Sequence, residues 1–399
     1  MTTWLGTPGI VCALGAGVDA VGRAAFAGDT SGMRAQDGWV NGRTLTLGAV
    51  TAALPPAPPQ MPAHHHSRNN QLLLAAALQI EDRLRGAIAR HGAARVAVVL
   101  GTSTSGVNDN APAFRHLRAH GAWPDDYDYR RQALSSPAAF LADWLGVTGP
   151  AYTLSTACTS SARALLSARR LLQLGLCDAV ICGGADTLCR LTINGFATLE
   201  AVDEALCAPF SAHRRGINIG EAGVLFLMER EPAGERSVAL LGGGASSDAW
   251  HMSAPDPTGE GARRAMQAAL QSAGVDAASI GWLNLHGTGT PHNDAMESHA
   301  THAVFPNGVP CASTKALTGH TLGAAGALEA ALALITLSAA NTQGAMMPHV
   351  WDGQPDPALP ALDFSTSAHR YPAGRRRLAM SNSFAFGGNN ASLVLGGQP

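Results

Sequence analysis

Short apolar runs alternate with longer segments of helical periodicity along most of the chain. The segment from Asn70 to Arg90 has leucine, alanine and isoleucine at helical spacing and predicts one helix. The run from Arg95 to Leu100 (RVAVVL) predicts a buried strand that ends at Gly101. The same patterns predict further strands at 151–155, 179–182 (closed by a glycine pair), 224–228, 238–241, 280–285, 378–381 and 392–395, and further helices at 158–174 and 324–339. Buried strands that alternate with helices indicate an α/β fold.

The chain length indicates more than one structural unit. A chain of 399 residues exceeds what one simple core usually holds, so two domains or two fused halves are expected. The polar stretch at 231–236 (EPAGER) is typical of a boundary. It divides the chain into residues 1–232 and residues 233–399. Both parts have a similar alternation of predicted strands and helices, without a clean sequence repeat. The proline-rich stretch at 55–62 (PPAPPQMP) is interpreted as a surface loop rather than a linker.

Composition and charge narrow the classes of function. Hydrophobic residues are 46% of the chain and charged residues 14%, which allows a large core and indicates that a partner subunit covers part of the surface. The net charge of −2 provides no general basic field for nucleic acid. No apolar run is long enough to predict a membrane span, and Met1-Thr2-Thr3-Trp4 lacks the features of a signal peptide. Seven cysteines without disulfide-like or CxxC spacing indicate a reduced, cytoplasmic setting.

One cysteine lies where a predicted strand turns into a predicted helix. The sequence there reads TACTSSA, with Cys158 at its centre and small neighbours that leave room for a substrate. The dipole and free N–H groups of a helix start favour a thiolate, so Cys158 is a candidate nucleophile. The alternative is a buried cysteine that packs as a small hydrophobic residue. The other cysteines lack this context and are interpreted as structural: Cys12, Cys177, Cys182, Cys189, Cys207 and Cys311.

Two histidines lie in segments rich in glycine and small residues. His286 follows a predicted strand in the stretch LHGTGTP, where Thr288 and Thr290 offer hydroxyl groups and glycines allow close approach by a ligand. His320 lies in the stretch STKALTGHTLGAAGALE, whose small residues allow an imidazole to line a cavity. Both histidines are therefore candidates for a site.

Charged residues accompany both histidines. Asp294 and Glu297 are interpreted as anchors for a helix start and a loop rather than as catalytic groups. Lys315 and Glu329 bracket an apolar helix and predict a buried ion pair near the histidine between them; a surface pair is the alternative. A solvated surface is favoured over a metal site for two further groups, which are His64, His65 and His66, and His292, His299 and His302.

Four segments together resemble the elongating β-ketoacyl-acyl-carrier-protein synthases, which are thiolase-fold condensing enzymes. The family pattern is a TAC nucleophile segment, then HGTxTxxxD, then KxxxGHxxGAAG, then FGFGG. This chain has TAC at 156–158, HGTGTPHND at 286–294, KALTGHTLGAAG at 315–326 and FAFGG at 384–388. Several long motifs in one order make the resemblance specific, and it covers nearly the whole chain.

The resemblance implies a fold and a set of catalytic roles. The fold would be two pseudo-duplicated, thiolase-like α/β halves in a five-layered αβαβα core, with the nucleophile in residues 1–232 and both histidines and the gating loop in residues 233–399. Cys158 would carry the acyl group, and His286 and His320 would serve the malonyl half-reaction. Lys315 and Glu329 match the family's supporting charges.

The resemblance also implies how substrates are held. Thr288 and Thr290 match the hydroxyls that hold a phosphopantetheine arm. Phe386 matches the gate beside the thiol, with Gly387 and Gly388 next to it, and the backbone N–H groups of Phe386 and the nucleophile would form an oxyanion hole. No metal or redox cofactor is expected, because substrates arrive on the phosphopantetheine arm of acyl-carrier protein.

The resemblance predicts a 3-oxoacyl-[acyl-carrier-protein] synthase that performs a decarboxylative Claisen condensation in fatty-acid or fatty-acid-like (polyene or polyketide) biosynthesis. A non-catalytic chain-length-factor-like subunit is the alternative, although it would lack the nucleophile. The expected partners are acyl-carrier protein and either an identical chain or a chain-length-factor-like subunit. The acidic carrier would dock on a local basic patch, with five candidates: Arg68, Arg130, Arg131, Arg214 and Arg215.

Four substitutions in the family pattern leave the gate and the substrate class open. The family's PFDxxRDG reads PFSAHRRG at 209–216, so Ser211 and Arg215 replace two aspartates. Asn389 replaces a threonine and Ala385 replaces a glycine. Ala385 is expected to stiffen the gate, because a Cβ makes positive φ costly, unless it already lies at negative φ. Together these departures favour a specialised pathway over the housekeeping cycle.

Overall fold

The strands follow the alternation in the sequence, and twelve of them join one sheet within residues 2–397, the part of the chain that this computed structural model describes. The strands are β1 (Thr3–Leu5), β2 (Gly9–Cys12), β3 (Gly15–Ala16), β4 (Met33–Val40), β5 (Arg43–Gly48), β6 (Val96–Gly101), β7 (Ala151–Leu154), β8 (Ala179–Asp186), β9 (Ala222–Glu229), β10 (Val238–Ser247), β11 (Trp282–Asn284), β12 (Cys311–Ala312), β13 (Leu378–Ala385) and β14 (Asn389–Gly396). β4 and β5 form a separate hairpin.

The helices of the described chain lie mostly between these strands in sequence. They are α1 (Val18–Ala27), α2 (Arg68–Leu78), α3 (Glu81–His91), α4 (Ala111–His120), α5 (Ser136–Leu145), α6 (Ser160–Gln173), α7 (Arg190–Thr198), α8 (Glu260–Ala273), α9 (Pro291–Val304), α10 (Lys315–Thr318) and α11 (Ala325–Leu337).

The order of strand pairing is repeated in the two parts of the sheet. In the first part β2, β9, β8, β6 and β7 are neighbours, and their successive pairings are antiparallel, antiparallel, parallel and parallel. In the second part β10, β14, β13, β11 and β12 follow the same order of directions. β1 pairs with both β9 and β10 and joins the two parts. This repeat of strand order is the expected pseudo-duplication, which was not visible as a clean repeat in the sequence. The boundary between residues 232 and 233 stays a prediction.

Two helices lie between the two parts of the sheet. α6 packs on β6 and β8 of the first part and also contacts β10 and β14, while α11 packs on β13 and also contacts β9. Outside these layers, α2 and α5 cover the first part and α8 covers the second. The layers are therefore αβαβα, as expected. Every residue of α11 is buried, which fits a helix whose sequence is apolar on all sides.

Two local predictions differ from the structure. The helix predicted over residues 70–90 is two helices that break at Gln79 and Ile80, because the Gln79 amide bonds both backbone groups of Ile10 on β2. β8 does not stop before Gly183 and Gly184 but runs through them to Asp186. Gly183 can remain in the strand because it packs against the backbone of β9, where a Cβ would lie 2.0 Å from a carbonyl oxygen.

Candidate active site

Cys158 lies in the turn that leads from β7 into α6. Ala157, just before it, has a left-handed backbone with φ of 52°. The Ala157 carbonyl accepts hydrogen bonds from the backbone N–H of Ser160 (3.1 Å) and from its hydroxyl group (2.5 Å). These contacts hold a strained turn in place just before the first residue of the helix. The turn directs the thiol toward the second half of the chain.

His320 meets this thiol from the loop between α10 and α11. Its Nε2 atom lies 2.9 Å from the Cys158 Sγ atom. The backbone of His320 is fixed on both sides: its N–H donates to the Asn218 carbonyl (2.7 Å), and its own carbonyl accepts from the Gly220 N–H (3.0 Å). A segment from the first half therefore positions a histidine of the second half.

His286 completes the group at the carboxyl end of β11. The two imidazole rings lie 5.3 Å apart between centroids and almost perpendicular, at 85°. Glu297 accepts the backbone N–H groups of His286 (2.8 Å) and Gly287 (2.7 Å), which fixes the loop after the strand. Sulfur and nitrogen atoms of Cys158, His286 and His320 converge within 4.8 Å of one another. The structure thus brings together the three residues that the sequence motifs singled out.

The predicted buried ion pair is present beside this group. Lys315 Nζ lies 2.5 Å from Glu329 Oε1, and both side chains are buried. The Lys315 ammonium also donates to the His286 carbonyl, and it lies 3.4 Å from the His286 Nδ1 atom. An ammonium group can only donate, so Nδ1 accepts and the proton of a neutral His286 ring is on Nε2. That Nε2 atom has no partner among the described residues, so it is a free donor in the cavity.

Burial controls the protonation of all three groups. Burial raises the pKa of the Cys158 thiol to about 12, against the opposing effects of the Lys315 charge and a hydrogen bond from the Phe386 backbone N–H. The expectation that the helix start favours a thiolate is therefore wrong for this arrangement, and the thiol donates to His320. Burial, aided by the Lys315 charge, also lowers the pKa of His286 and of His320 well below the usual value. Both imidazoles are neutral at physiological pH.

The group faces a narrow, nearly closed cavity of about 10 Å³. Thr288 and Thr290 line it, with their hydroxyl oxygens 3.0 Å apart. Phe386 also lines it, and its ring lies 5.3 Å from the ring of Phe196 on α7. Phe196 was not singled out from the sequence, because a phenylalanine in a helix carries no motif. Hydroxyl groups on one wall and aromatic rings on another suit a polar arm that carries an apolar chain.

The loop after β13 has the backbone of a flexible turn. Gly387 and Gly388 have φ of 78° and 71°, which favour glycine. The Gly387 N–H donates to the Met252 carbonyl (2.9 Å), so the loop is tied to the segment after β10. Ala385 has φ of −101° and lies in extended backbone. Its Cβ therefore causes no strain here, and the expectation that Ala385 stiffens the gate is not supported by this conformation.

The acidic residues after His286 are loop anchors, as expected. Asp294 accepts the backbone N–H groups of Phe210 (2.7 Å) and Gly289 (3.1 Å). Burial raises the pKa of Asp294 to about 6 and that of Glu297 to about 7.

Sequence analysis missed a further anchor, Asp186. It is fully buried at the end of β8, and it accepts the Gly323 N–H (2.6 Å) close to His320.

The departures in the PFSAHRRG segment are accompanied by new contacts. The Ser211 hydroxyl donates to Asp352 (3.0 Å), so a carboxylate from a distant loop binds the serine that replaces an aspartate of the family pattern. Arg214 pairs with Asp356 at 2.6 Å. Arg215 pairs with Asp203 at 3.2 Å but stays mostly exposed.

The five arginines proposed for carrier docking differ in availability. The Arg214 side chain is only 8% exposed, so it is not part of an open patch. Arg68 pairs with the buried Glu221 at 2.5 Å, and Arg130 pairs with Asp128 at 2.6 Å. Arg130 and Arg215 keep 69% of their side chains exposed. Arg214 is therefore a poor candidate for a docking surface, and the other four arginines stay candidates.

Neither alternative histidine group forms a metal site among residues 2–397. Among those residues, the one set of three side chains whose ligand atoms lie close enough together to share a metal ion is Cys158, His286 and His320. His65 is buried and pairs with Asp143 at 2.9 Å, whereas His292, His299 and His302 lie exposed on α9. In the same part of the chain, no helix is long and apolar enough to cross a membrane.

The sequence matches a family of known proteins. Residues 60–233 match the family described as "Beta-ketoacyl synthase, N-terminal domain", and residues 238–345 match its "C-terminal domain". A 3-oxoacyl-[acyl-carrier-protein] synthase 2 of Rhizobium meliloti (strain 1021) is 36% identical over 62% of this chain and 61% of its own length. Nodulation protein E of the same organism is 34% identical over 76% of this chain and 75% of its own length. The chain thus spans about three fifths of the first relative.

A solved structure is similar along the whole chain. The ketosynthase ApeO of Xenorhabdus doucetiae, described in complex with its chain length factor ApeC, is 47% identical and superposes with a TM-score of 0.91. The comparison covers 100% of this chain and 98% of that one. A β-ketoacyl synthase of Burkholderia phymatum is 28% identical over the full length of both chains, with a TM-score of 0.87. This chain and the two solved structures therefore share one thiolase-like architecture.

Proposed function

Because the chain belongs to the β-ketoacyl synthase family, we propose that it is a 3-oxoacyl-[acyl-carrier-protein] synthase that joins an acyl group to a malonyl unit with loss of carbon dioxide. The observation that carries the proposal is the 2.9 Å contact between His320 Nε2 and Cys158 Sγ, next to the free Nε2–H of His286. This combination supplies a nucleophile, a proton acceptor and a donor for an enolate oxygen.

The first half-reaction transfers the acyl group to Cys158. His320 accepts the thiol proton as the sulfur attacks the thioester carbon of acyl-carrier protein. Backbone N–H groups of Cys158 and Phe386 stabilise the oxyanion, and each such donor is worth about 3 kcal/mol. The phosphopantetheine sulfur then leaves with the proton from His320. The Phe386 N–H is already directed at the Cys158 sulfur, which supports this role.

The second half-reaction uses both imidazoles as donors. After acylation, the single ring proton of neutral His320 exchanges through solvent from Nδ1 to Nε2. The malonyl thioester oxygen then accepts hydrogen bonds from the Nε2–H groups of His286 and His320 while the carbon–carboxylate bond breaks and carbon dioxide leaves. The enolate carbon then attacks the acyl thioester on Cys158 and forms the new carbon–carbon bond. The Cys158 sulfur departs as a thiolate and takes a proton from solvent, which restores the thiol. Neutral imidazoles suit this task, and burial lowers the pKa of both. Lys315 supports the donor tautomer of His286 through its contact with Nδ1.

Substrates would arrive on the phosphopantetheine arm of acyl-carrier protein, with Thr288 and Thr290 beside the arm and Gly387 and Gly388 beside Phe386. The proposed steps need no metal or redox cofactor, because the thiol, the imidazoles and backbone N–H groups perform each of them. A non-catalytic role is less well supported, since it would leave the paired Cys158 and His320 without use.

We also infer that the physiological unit includes a chain-length-factor-like subunit. The full-length similarity to a ketosynthase solved with its chain length factor supports this inference, and a homodimer is the alternative. A specialised fatty-acid-like or polyene pathway agrees with the departures at Ser211, Arg215 and Ala385. Co-expression with a candidate partner, followed by native mass spectrometry, distinguishes the two assemblies.

Reconstitution tests the activity directly. The protein is incubated with acyl-carrier protein and malonyl-carrier protein, with and without the candidate partner, and carrier-bound products are weighed by mass spectrometry. A product longer by two carbons is expected from wild type. Cys158→Ala should give no acylated enzyme peptide and no product, whereas Cys12→Ala, a buried cysteine on β2, should behave as wild type. Normal condensation by Cys158→Ala would refute the proposal.

His286→Ala and His320→Ala separate the half-reactions. Both variants should lose malonyl decarboxylation, because each removes a donor to the enolate oxygen. His286→Ala should retain acyl transfer to Cys158, whereas His320→Ala should slow it as well, because His320 Nε2 accepts the thiol proton. Full condensation by either variant would exclude the corresponding role.

A further inference from the structure

A third buried histidine lies behind the two that face the cavity. His349 is on the segment between α11 and β13, and its side chain is 7% exposed. Its ring stacks on Phe364, with 4.2 Å between centroids and 15° between planes. Its backbone N–H donates to the Ser365 carbonyl at 2.8 Å. Ring and backbone are both held, so the two ring nitrogens have fixed directions.

Those two nitrogens bind two different backbone groups. Nδ1 lies 3.1 Å from the Ser313 N–H, and Nε2 lies 3.1 Å from the Pro209 carbonyl oxygen. A backbone N–H can only donate and a carbonyl can only accept, so Nδ1 must be unprotonated and Nε2 must carry the proton. His349 is therefore held as one neutral tautomer that joins two loops.

The Ser313 side of this junction leads to His286. The Ser313 hydroxyl donates to the carbonyl of Gly287 (2.7 Å), the residue that follows His286. The same hydroxyl accepts the backbone N–H of Lys315 at 3.3 Å. The Ser313 backbone thus determines the position of the loop that carries Lys315 and the position of the chain beside His286.

The Pro209 side leads to His320. Pro209 begins the PFSAHRRG segment, and Phe210 after it has a left-handed φ of 63° fixed by Asp294. The segment continues to Asn218 and Gly220, whose backbone groups bind both backbone groups of His320. The two loops joined by His349 therefore each end at one histidine of the active site.

We propose that His349 is a positioning residue that keeps His286 and His320 in a common geometry for the malonyl half-reaction. The proposal rests on the roles of these two histidines in the proposed function. His349 itself touches no substrate, since it does not line the cavity. Its contribution is to prevent the two loops from shifting independently, and a misplacement of about 1 Å in such a site lowers rates by about 100-fold.

Three substitutions at His349 test its hydrogen bonds to Ser313 and Pro209 separately. In His349→Asn the side-chain oxygen takes the place of Nδ1 and keeps the Ser313 contact. In His349→Gln the amide nitrogen takes the place of Nε2 and keeps the Pro209 contact. His349→Phe keeps a ring to stack on Phe364 and loses both hydrogen bonds. His369→Phe on the same segment is the matched control, because its ring nitrogens face Thr366 and the exposed Asp363 and not the loops of the active site.

The measurement is kcat and KM for malonyl decarboxylation, with the melting temperature of every variant. His349→Phe should lower kcat on the order of 10- to 100-fold with little change in KM. The Asn and Gln variants should lie between it and wild type, and His369→Phe should match wild type. A wild-type kcat in His349→Phe, or losses that follow the melting temperatures alone, would overturn the proposal.

Alkylation of Cys158 by iodoacetamide provides a readout that needs no substrate. His320 contacts the thiol, so a displaced His320 should change the alkylation rate of His349→Phe at least several-fold, while His369→Phe should react as wild type. If wild type fails to condense, the proposed function fails, yet this rate still tests whether His349 positions His320. Identical alkylation rates in wild type and His349→Phe would count against the positioning role in either case.

Discussion

His320 Nε2 and Cys158 Sγ lie 2.9 Å apart, and each residue comes from a loop that leads into one of the two central helices. The contact therefore joins equivalent loops of the two halves, each of which precedes a central helix. Within this contact the proton is on sulfur, because burial raises the pKa of Cys158 to about 12 and lowers that of His320. A neutral pair rather than a thiolate–imidazolium pair is the resting state.

The resting state predicts the pH dependence of Cys158 alkylation. The thiolate fraction grows tenfold with each pH unit below the thiol pKa, so the iodoacetamide rate should still be rising at pH 9 in the absence of substrate. His320→Ala should shift the rate without introducing a plateau near neutral pH. Rates measured from pH 6 to pH 10 by mass spectrometry of the Cys158 peptide test this, and a plateau near pH 7 in wild type would mean that an ion pair forms instead.

The ion pair of Lys315 and Glu329 predicts separate effects on stability and on catalysis. Lys315→Met leaves a buried carboxylate unpaired and should lower the free energy of unfolding by about 3–5 kcal/mol. The double variant Lys315→Met with Glu329→Leu should recover most of this loss, because a buried pair can be replaced by apolar residues of similar volume.

Decarboxylation should remain impaired in the double variant, because His286 has lost the donor at Nδ1 that fixes its tautomer. Urea denaturation and decarboxylation assays on the two variants measure the two effects. Full activity of the stable double variant would show that the lysine has no role beyond folding.

The glycine pair after Phe386 predicts where the gate loop is sensitive. A Cβ on Gly388 would lie 2.8 Å from the Asp248 Cβ, in addition to the strain of φ at 71°. A left-handed backbone costs about 1–2 kcal/mol for a residue with a Cβ, and the acylation transition state needs this loop in place because the Phe386 N–H stabilises its oxyanion. Gly388→Ala should therefore slow Cys158 acylation about 5- to 30-fold.

Ala385→Gly is the control for the gate, because Ala385 lies at φ of −101° where a Cβ is tolerated. Its pre-steady-state acylation rate should match that of wild type. Phe386→Ala should raise decarboxylation without condensation, since the ring no longer separates the two substrates. A faster Ala385→Gly enzyme would mean that the open loop needs positive φ at this position.

His349 predicts a specific loss of stability in acid. Burial lowers the pKa of His349 from 6.5 to about 4. The unfolded chain then binds this proton at a higher pH than the folded protein, so the contribution of His349 is complete above pH 6.5 and falls as the pH drops from 6.5 to 4. The loss over this window amounts to about 3 kcal/mol.

His349→Phe should lack this pH-dependent contribution to the free energy of unfolding, while the other buried groups of the site titrate in both proteins. The difference in free energy of unfolding between wild type and variant, measured by urea denaturation at several pH values, should therefore shift by that amount between pH 6.5 and pH 4. A difference that stays constant across the window would contradict the lowered pKa.

Features encoded by local patterning could be predicted from the sequence, and the motif residues converge as expected. Cys158, His286 and His320 each follow a strand or precede a helix, so their neighbourhoods have a local signature. The buried pair of Lys315 and Glu329 could be inferred because two charges bracket an apolar helix.

Features that depend on tertiary contacts could not be predicted. The break after α2 depends on the Gln79 amide, which binds a strand far away in sequence. The raised pKa of Cys158 follows from burial by the second half, which outweighs the local effect of the helix start. His349 has no motif, and its importance arises only when Pro209 and Ser313 are brought to its two nitrogens.

The complete burial of α11 has a consequence for how the protein is made. A helix without a polar face is not stable in water by itself. Until Ala325–Leu337 has left the ribosome, the surface of α6 that α11 covers in the folded protein stays exposed. The nascent chain therefore carries an open apolar surface through most of its synthesis. We therefore expect chains truncated before Ala325 to aggregate, and we expect the nascent chain to need a chaperone until the central helix after the His320 loop is made.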